Sequence, residues 1–272
     1  MAEDFTGYDV IQFGESDKQY AADNSIEFCY SAPEERHHKS IDPRPFLKVE
    51  NQLAIGSCTG NSITTCCEYV AGCQLGDFAE VPQLSRWAAY YWGRELFGNL
   101  NQDGGCSIQS SVEAVKTIGA CLESVVPYPP RFNTNPLPAG AREDAAKRKI
   151  NSTIVPGNYE DVINFLDGGF GSIQIGVLLS NAMKNTGDWT LANVKEDGSR
   201  GGHAIAIVGF LENGDIIVAN SWSLNWGHKG YMIMTKDACN YLIDRPYSAF
   251  IGISDLTGFD TVRILKSHRG AG

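Results

Sequence analysis

Three side chains in this sequence could together break an acyl bond: a thiol, an imidazole and a carboxamide. The thiol is Cys58, in the stretch "NQLAIGSCTGNSITTCCEYV" at 51–70, with Gln52 six residues before it. A thiol attacks as its thiolate, and a free cysteine titrating near ~8.5 is mostly protonated at neutral pH. The run after Ser57 predicts a helix starting at the cysteine. A helix N-terminus offers unpaired N–H donors and the positive end of the macrodipole, and both favour a thiolate. Small Gly56 and Ser57 allow a tight turn and leave the sulfur accessible. A buried structural cysteine is the other reading of this segment taken alone.

A nucleophilic cysteine needs a base, and the base needs a partner to orient it. The chain has five histidines. His37 and His38 sit in the charged loop "EERHHKS", His228 in a turn between strands, and His268 in the C-terminal tail. His203 opens a β-rich run, "GGHAIAIVG", where an ordinary core histidine is an equal alternative. Asn220 ends the next run, in "ANSW". If "NG" at 213–214 closes a tight hairpin, residues whose numbers sum to 427 face each other. His203 then faces position 224, on the same side of the sheet as Asn220 but four residues from it. Four strand residues span about 13 Å. A bend, a bulge or a longer loop has to close that gap.

The elements that position these groups change character along the chain. Ile63, Cys66, Cys67, Val70 and Ala71 recur at helical spacing and predict one buried face. "LSRWAAYYWGRELFG" predicts a second helix ending at Gly98, and "SIQSSVEAVKTIGA" a third ending at Gly119. A proline-rich connector, "PYPPRFNTNPLPAG", leads to a charged helix in "AREDAAKRKI" and a short one in "NYEDVINFLDGG". Then "FGSIQIGVLL", "GHAIAIVGFL", "DIIVANSW" and "GYMIMTK" read as strands, with "ENGD" at 212–215 as a hairpin turn. The first half is mainly helical and the second mainly antiparallel sheet.

Composition bounds the function. The 272 residues suffice for one large domain or two lobes, and 43% apolar residues can bury a substantial core. The net charge of -10, with no basic stripe, argues against a nucleic-acid partner. No apolar run approaches the ~20 residues that span a bilayer, so no membrane role is expected. The acidic start, "MAEDFTGYDV", does not read as a secretory signal, and eight cysteines are too sparse for a disulfide scaffold. Together these point to reduced thiols in a cytoplasmic or other intracellular compartment. Cys66, Cys67 and Cys73 lack metal-ligand spacing, and no Walker A, H-E-x-x-H or G-x-S-x-G pattern occurs, so neither metal nor cofactor is expected.

With these residues on the page, the chain resembles papain-like cysteine peptidases over about 42–250. "Q-x-x-x-x-x-C" at 52–58, containing G-S-C, is similar to that family's oxyanion-hole and nucleophile segment. "GGHAIAIVGF" resembles its base strand, and "NSWSLNWGHKGY" its "NSWG-x-x-WG-x-x-GY" segment. "DGGCSI" at 103–108 looks like its substrate-binding glycine strip, which points to Gly104 and Gly105. Four motifs stand in the family's order. The departures are Thr59 in place of the family's tryptophan, Ser223 in place of a glycine, and Ile55 and Gln102 where the family carries a disulfide. "GSCT" is more like bacterial and viral members.

The resemblance implies an α+β, two-lobe papain-like fold. A helical lobe at about 45–150 faces an antiparallel, β-barrel-like lobe at about 151–255, with the cleft between them. Residues 1–39 would be an extension and possible short blocking segment, and 256–272 a tail. It implies Cys58 as nucleophile, His203 as base in an ion pair with it, Asn220 as orienter and Trp222 as its shield. Gln52 and the Cys58 N–H would bind the oxyanion. Gly176 and Ala204 would line a roomy main specificity pocket. The implied function is endopeptidase hydrolysis of a polypeptide through an acyl-thioester. The alternatives are an acyltransferase using the same set, or a catalytically silent peptide-binding homologue. Oligomeric state is not legible in the sequence.

Overall fold

A computed structural model describes residues 38–168, 171–196 and 201–259. Most of the expected blocking segment, and the tail beyond 259, lie outside the described residues, as do His37, His268 and Cys29.

Helix α1, Cys58–Leu75, is the centre of the molecule. It is buried on nearly every side rather than on one face. Its other faces carry Ser and Thr, and these hydroxyls hydrogen-bond to the helix's own carbonyls: Ser62 to Thr59, Thr64 to Gly60 and Thr65 to Asn61. Such back-bonding removes the cost of burying them, so periodicity of apolar residues alone understates the burial. Helix α2, Arg86–Phe97, starts at Ser85, whose side chain accepts from the Ala88 N–H, and stops at Gly98 in the left-handed region. Helix α3, Ile108–Thr117, is capped by Ser107 and ends two residues before Gly119. The charged helix, α4, is a single short stretch, Ala141–Ala145.

Among the described residues the sheet holds seven strands. They are β1 (Ile150–Ile154), β2 (Ser172–Leu178), β3 (Asp188–Trp189), β4 (Gly202–Phe210), β5 (Ile216–Ala219), β6 (Tyr231–Met234) and β7 (Ala249–Leu256). Their order is β1-β7-β2-β4-β5-β6-β3, all antiparallel except β3 beside β6. The sheet stays open and mixed instead of closing toward a barrel, because β1 and β3 end it without pairing with each other. One face, through Ala204, Ala206, Val208 and Ile251, packs on α1. The other, through Ile173, Ile175, Ile205 and Ile207, packs on helices Tyr159–Asp167 (α5) and Lys236–Ile243. A third apolar cluster joins α2 and α3 to the segment after them, through Trp87, Trp92, Val126 and Ala141.

Ahead of α1 the chain runs along the sheet. Ile41 and Phe210 exchange backbone hydrogen bonds of 2.9 Å, and the Gln52 N–H donates to the Ser221 carbonyl at 2.8 Å. Gly209 permits this approach, since a Cβ there would sit 2.1 Å from the Ile41 carbonyl oxygen. The same glycine marks a register shift between β4 and β5. Ala206 faces Ala219 and Ile207 faces Val218, whereas Gly209 faces Ile217.

Buried glutamines join the helical and sheet layers. Gln74 Nε2 donates to the Leu256 carbonyl at 3.0 Å, and its Oε1 accepts from the Leu256 N–H at 3.0 Å. Gln174, on β2 and fully buried, donates to the Thr59 carbonyl (3.1 Å) and Ser62 Oγ (2.8 Å) and accepts from Ser111 Oγ (3.1 Å). Gln174→Ala leaves those partners buried without it. The expected cost is about 2–4 kcal/mol, read as a lower urea midpoint at unchanged slope; an unchanged midpoint would mean the layers do not depend on this contact.

Candidate active site

The β4–β5 register decides whether the base meets its orienter. With Ala206 opposite Ala219, paired numbers sum to 425, two less than a tight hairpin at "NG" gives. The bulge near Gly209 and the 211–215 turn absorb the difference; in that turn the Leu211 N–H donates to the Asp215 carbonyl at 2.8 Å. Extended to the strand's start, the offset between His203 and Asn220 drops from four residues to a two-residue diagonal, within reach of both side chains. His203 Nε2 and Asn220 Oδ1 are 2.8 Å apart.

The proton on that ring can be assigned from its partner. Asn220 Oδ1 also accepts from the Ser221 N–H at 2.8 Å, which fixes that atom as oxygen. His203 Nε2 therefore carries the hydrogen, and Nδ1 keeps its lone pair as the basic nitrogen. Trp222 stacks on the imidazole, with ring centroids 4.6 Å apart. Both are nearly buried, so water is kept from the His203–Asn220 bond.

Cys58 opens α1 as expected. Ser57 is the N-cap, yet its side chain caps nothing. Its hydroxyl donates to Tyr128 Oη at 2.5 Å and accepts from Asn61 Nδ2 at 3.0 Å, while Tyr128 donates to the Gln52 carbonyl at 2.9 Å. The Cys58 and Thr59 N–H groups are left to face the sulfur, joined by that of Ala204, the residue after His203. The thiol thus lies against the start of β4.

Burial bears on one expectation. Burial pushes the Cys58 thiol up to about 12, and Cys106 nearby adds to this; the three N–H donors pull the other way without prevailing. Burial pushes His203 down to about 4, against the upward pull of Asn220. Burial thus disfavours the thiolate and the imidazolium alike, opposing the ion pair that the resemblance implies. Cys58 is fully buried rather than accessible.

The other expected residues lie on the segments around Cys58 and the start of β4. Gln52 Nε2 donates to the Ile55 carbonyl at 2.9 Å, and Ser221 Oγ donates to Gln52 Oε1 at 2.7 Å. One N–H of the Gln52 amide remains for a ligand. Gly104 and Gly105 follow Asp103, whose carboxylate accepts from the Gly56 N–H at 3.0 Å, so the strip lies beside the nucleophile loop. Gly176 pairs with Ala204 on one side and with Ala249 on the other. Ala249, Asp103 and Ser221 are additions: Ser221 stood inside the recognised "NSW", whereas the 245–250 stretch carried no clear register. His38, read as solvated, instead bonds the buried Asp167 carboxylate at 3.0 Å. His228 bonds Asp188 at 2.7 Å. Among the described residues, no group of three or more His, Cys, Asp or Glu is placed to hold a metal ion.

A histidine held neutral makes stability depend on acid. The unfolded chain binds a proton near the ordinary 6.5, while the folded ring resists until about 4, so stability is intact above 6.5 and falls as pH drops toward 4. The expected loss from this group is about 3 kcal/mol. Urea titrations from pH 6.5 to 4 should show wild type losing that much more than His203→Gln; parallel curves would contradict the burial argument.

Comparison with known proteins agrees with this geometry. The sequence model described as "Papain family cysteine protease" matches residues 39–249. An uncharacterised peptidase C1-like protein of Acanthamoeba polyphaga mimivirus is 30% identical over 203 residues, 69% of this chain and 64% of that protein. The chain thus spans less than two thirds of that curated relative. Xylellain, a cysteine protease from Xylella fastidiosa, superposes with a TM-score of 0.70 at 23% identity, covering 80% of this chain and 86% of its own. Digestive procathepsin L 3 of Tenebrio molitor larval midgut does so with 0.67 at 18%, covering 93% and 79%. These structures share the fold. With a family match across most of its length and a thiol, imidazole and carboxamide held as described, the chain belongs to the papain family of cysteine proteases.

Proposed function

We propose that this protein is a cysteine endopeptidase that cuts polypeptides through an acyl-thioester on Cys58. The observation that carries the reading is the tautomer: Asn220 holds the Nε2 hydrogen of His203, and Nδ1 is left to take the thiol proton. As the sulfur attacks the scissile carbonyl, its proton passes to Nδ1. The carbonyl oxygen, now anionic, accepts from the Cys58 N–H and the second N–H of Gln52 Nε2. The imidazolium returns its proton to the departing amine and the C–N bond breaks. His203 then removes a proton from water, whose oxygen displaces the sulfur and releases the acid, and the imidazolium returns that proton to the departing sulfur.

Burial raises the Cys58 thiol and lowers His203, which favours passing the proton as the attack develops. Two oxyanion donors stabilise the charge that results, each typically worth ~2.7–4 kcal/mol. Gly176, Ala204 and Ala249 lie abreast across three strands and have almost no side chain among them. They support a roomy pocket for a bulky apolar residue two positions before the cut. Seven described cysteines are free thiols, which supports a reducing, intracellular setting for this chemistry.

The test is hydrolysis of a peptide library in the presence of reductant. Wild type should cleave, favouring bulky apolar residues at the second position before the cut, and Cys58→Ala should not. Cleavage that survives Cys58→Ala would overturn the reading. Cys58-dependent cleavage that favours small or charged residues there would refute only the pocket.

A further inference from the structure

The peptide unit joining Ile55 to Gly56 is held at both ends. Its carbonyl accepts from Gln52 Nε2 at 2.9 Å. Its N–H donates to both carboxylate oxygens of Asp103, at 3.0 and 3.1 Å. Asp103 Oδ1 also accepts from Tyr90 Oη at 2.7 Å, and Tyr90 Oη accepts from the Gly105 N–H at 3.1 Å. The Gly105 carbonyl in turn accepts from Asn99 Nδ2 at 2.8 Å. Gly105 sits in the left-handed region, at φ 74°, so its peptide orientation depends on being held.

We propose that Asp103 is a positioning residue for the oxyanion donor: it fixes the Ile55–Gly56 peptide plane, and that plane aims the Gln52 amide. The same carboxylate ties the plane to the glycine strip through Tyr90. The inference rests on the endopeptidase reading of the site and adds a residue to it.

Three physical points support the assignment. The Ile55 carbonyl end is held twice, by Gln52 Nε2 and by the Ser57 N–H at 2.7 Å, whereas at the Gly56 N–H end both bonds go to Asp103. A carboxylate accepting from a backbone N–H makes a stronger bond than a neutral acceptor would. The space is also committed, because a Cβ on Gly56 would lie 3.1 Å from Asp103 Oδ1. Further along the loop, the buried Arg94 guanidinium donates to the carbonyls of Leu100 (2.6 Å) and Gln102 (3.2 Å). Asp103 therefore leaves a loop that is already anchored at its base. The link is polar and reversible, and it stands one residue along from the Ile55 and Gln102 positions.

If the plane aims Gln52, then losing Asp103 matters only while Gln52 is present. Asp103→Ala should lower kcat/KM about tenfold or more, part of the hundredfold or greater loss typical of removing an oxyanion donor outright. In a Gln52→Ala background the same substitution should change kcat/KM less than twofold. Asp103→Asn, which keeps an acceptor for the Gly56 N–H, should recover most of the loss. Alkylation of Cys58 by iodoacetamide builds no oxyanion, and its rate should be the same in all variants. Equal losses in both backgrounds, or slowed alkylation, would overturn the proposal in favour of general loosening. A second measurement needs no turnover. In Cys58→Ala protein, proton exchange of the Gln52 side-chain amide, followed by 15N NMR, should speed up about tenfold on Asp103→Ala. Unchanged exchange would overturn the proposal even if activity fell. An inactive wild type with faster exchange would overturn the endopeptidase reading and leave the positioning role standing.

Discussion

The hydrogen bond of 2.8 Å between His203 Nε2 and Asn220 Oδ1 is the contact on which the rest depends. It sets which ring nitrogen is basic, and it exists only because two strands are out of the register that a tight hairpin would give. Two residues of slip, one at the bulge near Gly209 and one in the 211–215 turn, convert a separation of about 13 Å into a diagonal contact. Gly209 is also where the chain ahead of the nucleophile helix crosses the strand at Ile41. That chain then delivers Gln52 to Ser221, next to Asn220. His203, Asn220 and Gln52 are thus tied by this slip and the segment lying over it.

Charge at the site is governed by competition between burial and the helix start. A helix N-terminus stabilises an anion by about 0.3–1 kcal/mol, and by ~2 kcal/mol in favourable buried geometry. Moving a thiol from 9.0 to about 12 corresponds to about 4 kcal/mol. Burial therefore wins while the site is closed, and the first turn of α1 limits the penalty without reversing it. The imidazole follows the same rule in the other direction.

Much of this was legible in the sequence, for identifiable reasons. Helix starts were visible because Cys58, Arg86 and Ile108 each follow a serine and precede helical spacing. The strands β2, β4, β5 and β6 stood out as β-rich runs between turn residues. Strands β1 and β7 did not, since β1 mixes polar and apolar residues at a sheet edge and β7 follows an irregular loop. Parity put His203 and Asn220 on one face, but a bulge leaves no mark in a hydrophobic pattern. Nor does long-range polar positioning: nothing local to Asp103 announces a bond to Gly56, and nothing local to Ser57 announces that Tyr128 takes its hydroxyl. The effect of burial on the thiol and imidazole was hidden as well, because local motifs indicate the helix dipole and not the depth of burial.

The central claim is that Cys58 carries the acyl group during turnover. It is tested most directly by acid-quenching the protein within milliseconds of mixing with an activated peptide ester and weighing it intact. The account predicts a mass gain equal to the acyl group, mapped by digestion to Cys58 and absent from Cys58→Ala. Turnover with no acylated protein, or an acyl group on another cysteine, would contradict it.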